Sequence, residues 1–138
     1  MDTTKVHYEV RLSDGLILFR CLQDMSPAQL RDYLVFAFDY EPAAYSYDWL
    51  LDFSHISEAL SAEGVREIGR VWQRMARGRD VGKRTAYVTR DPSMRDALLA
   101  PRSLLQYRTI CVFENFDEAH SWLTALIDNR QDRGVQGI

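Results

Sequence analysis

From residue 22 onward, every short apolar run in this chain is separated from the next by a stretch with helical spacing. Strands joined in that way cannot pair as hairpins. They need crossover connections, and crossovers produce a largely parallel sheet with right-handed connections. The runs are YDWLLDF at 47–53, RTAYVTR at 84–90 and RTICVFE at 108–114. Ahead of them, VHYEVRL at 6–12 alternates apolar and polar residues, Ser13-Asp14-Gly15 signals a turn, and LILFRCL at 16–22 is more continuously apolar. That pair reads as a β-hairpin.

The helices announce their own starts. Ser26-Pro27-Ala28-Gln29 supplies an N-cap, a proline at the first helical position and a capping-box glutamine. Leu30, Tyr33, Leu34 and Ala37 then share one face. From Ala62 to Arg77, Val65, Ile68, Trp72 and Met75 repeat at helical spacing, with Gly78 as a stop. Asp91-Pro92 opens a third helix, which Pro101 interrupts within LLAPRSLLQY. Asn115, with Glu118 three residues on, opens a fourth, whose stripe is Ala119, Trp122, Leu123 and Leu126. The expected order is ββαβαβαβα, an α/β fold with a mixed, mostly parallel sheet and helices packed on it. The expected domain spans 1–130, and the polar QDRGVQGI at 131–138 reads as a loose tail.

With 138 residues and 46% hydrophobic content, one core needs no staple. Cys21 and Cys111 lie in strand runs and read as buried thiols of a reducing compartment. MDTTKVHYEV lacks the charged start and apolar stretch of a signal peptide, and no apolar run approaches a membrane span. A cytoplasmic protein is expected, with peripheral membrane attachment as the variant. The net charge of −3 does not favour nucleic acid. Charge is nonetheless uneven: residues 1–65 hold 4 basic and 11 acidic residues, and 66–108 hold 11 basic and 4 acidic.

Two segments carry a family resemblance: the strand-to-helix junction DFSHISEALSAEGVREIG at 52–69 and the closing VFENFDEAHSWL at 112–123. Together with the element order, they resemble STAS domains, and among them the SpoIIAA-like group, over roughly residues 5–127. The resemblance implies a single STAS-like domain and a bacterial, non-enzymatic and regulatory binding module. It also implies a protein partner, with lipid or membrane-surface association among the group's suggested roles. In anti-sigma-factor antagonists, the junction after the third strand carries a D-S-S-G-like motif that a partner kinase phosphorylates. With Asp52 placed at that strand's end, Leu60, Ser61, Ala62 and Glu63 stand where the motif would be. Ser61 matches its first serine, and Ala62 stands where the modified serine is expected. Ser61 is thus a candidate phosphosite and, independently, an N-cap for the next helix.

No motif for a metal, a phosphate-binding loop, a dinucleotide or a nucleophile elbow is present, so neither cofactor nor metal is expected. Ser54 or Ser57 with His55 and Asp52 is the only arrangement in which a small serine hydrolase could be sought. Two surfaces invite partners. Arg66, Arg70, Arg74 and Arg77 form a stripe, extended by Arg79, Lys83 and Arg84, suited to anionic head groups or an acidic protein. Val35, Phe36, Phe38, Tyr40 and Tyr45 exceed what one buried stripe needs and form a candidate apolar ligand or homodimer surface.

Overall fold

In the computed structural model, which describes residues 3–100 and 107–135, the alternation becomes five strands and four helices. The strands are β1 (Val6–Arg11), β2 (Leu16–Cys21), β3 (Asp48–Asp52), β4 (Lys83–Val88) and β5 (Arg108–Phe113). The helices are α1 (Pro27–Tyr40), α2 (Ala62–Ala76), α3 (Pro92–Leu99) and α4 (Phe116–Val135). The strands lie in the sheet in chain order, β1 antiparallel to β2 and all other neighbours parallel. This is the mixed, mostly parallel α/β sheet of a single domain.

Sequential right-handed crossovers put α1, α2 and α3 on the same face of the sheet. Side chains alternate across the sheet accordingly. Ile17, Phe19, Trp49, Leu51 and Phe53 meet Leu30, Leu34, Val65, Trp72 and Met94 of those helices. Leu16, Leu18, Leu50, Ala86 and Val88 meet Ala119 and Leu123 of α4 on the other face. Phe38, Trp49 and Trp72 form three edge-to-face pairs with centroids 5.0–5.8 Å apart at the centre of the first layer.

The caps form as the sequence implies. Ser26 and Gln29 close a reciprocal capping box. Asp91 accepts from the Ser93 N–H at 2.9 Å, and Asn115 Oδ1 from the Glu118 N–H at 2.9 Å. The stop of α2 differs from the expected one. The left-handed turn is taken first by Arg77, at φ 52°, and then by Gly78, at φ 75°. The interruption at Pro101 lies outside the described residues, as does the Leu126 side chain. The expected tail from 131 falls partly within the span of α4.

Candidate functional site

The junction from β3 to α2 is held together by side chains that sequence reading had considered for chemistry. Asp52 is buried and ends β3, accepting the Ser54 N–H at 3.0 Å and Arg20 Nε at 3.3 Å. Ser57 is tied through both its N–H and its hydroxyl to Asp24. Those bonds hold the Asp24 carboxyl below the usual carboxylate range. Ser54 and His55 are exposed, and among the described residues no hydrogen bond joins His55 to Ser54 or Ser57. Asp52, Ser54, Ser57 and His55 therefore form no relay. Burial pushes the Cys21 thiol up to about 12, with the Asp52 charge adding to the shift, so it stays protonated and apolar in character.

Ser61 caps α2: its hydroxyl accepts the Gly64 N–H at 2.9 Å and is exposed to solvent. Loss of that cap by Ser61→Ala is expected to cost about 1 kcal/mol in urea unfolding.

The basic block divides between surface and interior. Arg84 does not extend the surface stripe, because it is buried. Its guanidinium pairs with Asp48 at 3.0 Å and donates to the Trp122 and Leu123 carbonyls of α4 at 3.2 and 3.0 Å. Arg108 is also buried, donating to Thr85 Oγ1, the Tyr47 carbonyl and the Arg84 carbonyl at 2.8–3.0 Å. Its Nη1 lies 3.6 Å from Asp80, which also accepts Trp72 Nε1 at 2.8 Å. Burial pulls the Arg108 pKa down, and Asp80 and Asp48 oppose that shift. These two arginines lock the sheet to α2 and α4. Arg79 stays exposed but folds back onto the Met75 and Ala76 carbonyls and over the Tyr45 ring at 4.0 Å.

Arg66, Arg70 and Arg74 are exposed on α2, and Arg77, also exposed, lies just past its end. Glu63 takes Arg66 and Arg70 at 3.3 and 3.2 Å, and those bonds lower its pKa, Arg70 most. Arg74 has no ion pair among the described residues, and Arg77 forms the left-handed cap.

The apolar candidates also divide. Phe38 is only 7% exposed and belongs to the ring cluster of the core, so it is not a surface residue. Tyr45 is half-buried under Arg79. Phe36 and Tyr40 are exposed at 52% and 62%, with Val35 half-buried beside them.

Those residues line two grooves that flank α1. The first, about 660 Å³, lies between α1 and α2. Its floor is Val35, Phe36, Ile68 and Val71, and its rim carries Arg31, Arg70 and Arg74 with Asp32, Asp39 and Glu67. Arg31 reaches across it to Glu67 at 3.4 Å. The second, about 400 Å³, lies between β1 and α1 and is walled by Val6, Tyr8, Phe19, Tyr33, Phe36 and Tyr40. Phe36 is common to both. The acidic half of the rim, Asp32, Asp39 and Glu67, was not read from the sequence.

The sheet order, the three-helix face and the single opposing helix define one mixed α/β domain. One solved structure carries this to a particular fold. A protein of the DUF3478 family with a SpoIIAA-like fold, from Shewanella loihica PV-4, is similar at TM-score 0.50 with 16% identity, over 86% of this chain and 91% of that one. The anti-sigma factor antagonist SpoIIAA in its unphosphorylated form matches at TM-score 0.49 and 15% identity, over 86% of this chain and 95% of that one. No protein-family model and no curated protein matches the sequence. The chain has a SpoIIAA-like fold. Among the described residues, no helix is long and apolar enough to cross a membrane.

Proposed function

We propose that this chain is a non-enzymatic, regulatory binding module that docks an amphipathic helix of a partner protein in the groove between α1 and α2. The observation that carries the reading is the make-up of that groove: an apolar floor under a rim of both charge signs. A helix with an apolar stripe and flanking charges fits such a surface. Its own acids meet Arg70 and Arg74, and its bases meet Asp32 and Asp39. An anionic membrane would face those carboxylates as well as the arginines. Ser61, at the head of α2, is the candidate point of control. A phosphate there adds about −1.5 to −2 charges one turn from Glu63 and competes with it for Arg66.

A second reading is an amphipathic lipid or an anionic membrane surface, with tails on the aromatic wall and the head group on the arginines. The position of Phe36 between the two grooves favours it. Reversing one charge of each sign separates the readings. Asp39→Lys, Arg74→Glu and Phe36→Glu each change a solvent-facing side chain. For protein docking, all three are expected to reduce co-purification of the partner at least about tenfold, roughly 1.4 kcal/mol each. Flotation with anionic phospholipid vesicles supplies the opposing result. Vesicle binding strengthened by Asp39→Lys and weakened by Arg74→Glu and by salt overturns the protein reading in favour of the lipid one.

A further inference from the structure

β1 is an edge strand: β2 lies on one side of it, and no described strand lies on the other. The phase of its ladder is set by one bond. The Leu22 N–H donates to the Lys5 carbonyl at 2.8 Å, and those two residues stand opposite each other in the register that pairs Val6 with Cys21. In an antiparallel pair, bonded and non-bonded residues alternate. His7, Glu9 and Arg11 therefore bond to β2, and Val6, Tyr8 and Val10 turn their N–H and C=O groups outward. An open row of that kind is a template for another strand.

We propose that a second copy of this chain covers the edge, β1 pairing antiparallel with itself about a two-fold axis through Tyr8. Outward groups must meet outward groups, so the axis has to pass through a residue of the strand, and three choices use its central part. An axis at Glu9 sets Glu9 directly against Glu9, and those like charges repel. An axis at His7 sets Val10 against Thr4, which lies outside the strand. An axis at Tyr8 sets Val6 against Val10 and His7 against the second copy's Glu9. Every outward N–H and C=O of Val6, Tyr8 and Val10 then has a partner. His7 and Glu9 already meet at 3.3 Å within one chain, which shows the complementarity of the pair.

The side chains agree with this choice. Val6, Tyr8 and Val10 project toward α1, where they pack on the core. Tyr8 meets the exposed Tyr40 edge-on at 5.3 Å, and Tyr40 meets the exposed Phe36 at 6.0 Å. Among the described residues, the buried Tyr8 hydroxyl has no hydrogen-bond partner. The two-fold sets a second Tyr8 directly opposite, with Cβ atoms about 5 Å apart, and the two copies extend each other's aromatic wall. This inference does not rest on the helix-docking reading.

Paired cysteines read the register. His7→Cys and Glu9→Cys are made separately, each with Cys111→Ser, and tested alone and mixed under mild oxidation. The expected result is a disulfide-linked dimer in the mixture and in neither variant alone. Cross-linking of either variant with itself moves the axis and overturns the register. Sedimentation of the wild type across a dilution series is expected to give a dimer mass, and a monomer at every concentration overturns the interface. Val10→Pro removes an outward N–H, a change that edge strands tolerate. It is expected to leave a monomer, and a dimer that survives it overturns the proposal. If Val10→Pro does not fold, the cysteine mixture still decides.

Discussion

Arg108→Ala is expected to destabilise the fold by about 3–5 kcal/mol, the range for breaking a buried ion pair from one side. Arg108 reaches the residue before β3, β4 itself and the loop after α2 through one guanidinium: Thr85, the carbonyls of Tyr47 and Arg84, and Asp80 all depend on it. Its loss leaves Asp80, 3% exposed, as a carboxylate that, among the described residues, keeps only the Trp72 indole as a side-chain donor. Against a total stability of about 5–15 kcal/mol, such a loss lowers the urea midpoint steeply. The control is Arg108→Met with Asp80→Asn, which removes both charges and keeps an acceptor for Trp72. That pair is expected to recover more than half of the loss, since the penalty lies in the orphaned charge. A single substitution costing less than about 1 kcal/mol would show that water reaches the cluster and that the sheet is not held there.

The second large effect compares two neighbours in α1. Phe38→Ala is expected to cost about 3–5 kcal/mol, as for other buried aromatic rings. Phe36→Ala is expected to stay within about 0.5 kcal/mol, as for other surface positions. Phe38 packs edge-on against both Trp49 and Trp72, whereas Phe36 is exposed and lines two grooves. Thermal and urea unfolding of the two variants separate core from surface in a segment where the sequence runs both kinds of aromatic together. Similar losses from both would place Phe36 in the core and remove the ridge on which the docking groove depends.

That segment also marks how far sequence reading reaches. Strands and helices were legible because their signals are local: period-two alternation in VHYEVRL, the capping box at Ser26 and Gln29, and the Asp91-Pro92 and Asn115 starts. Chain-order crossovers then left few topologies open. Phe38 was misplaced because position four after Leu34 lies at the margin of the buried stripe. Only Trp49 and Trp72, which come from other elements, decide that it turns inward. Arg84 read as part of a basic surface, and Arg108 was singled out for no role, because nothing local distinguishes a buried arginine. Their partners lie up to 61 residues away along the chain. Of the candidate surfaces, the stripe on α2 was legible from four-residue spacing. The groove was not, because its rim combines exposed residues of α1 and α2 whose meeting depends on how the two helices pack. The acidic residues that change its chemistry, Asp32, Asp39 and Glu67, carry no motif at all.

The docking groove is tested most directly by a photoreactive phenylalanine analogue at Phe36, expressed in the cells that make this protein, with the same group at the exposed Glu58 as control. Irradiation is expected to give one discrete protein adduct from position 36 and none from position 58. No protein adduct from position 36, an adduct of lipid mass, or the same adduct from both positions would contradict a partner helix seated between α1 and α2.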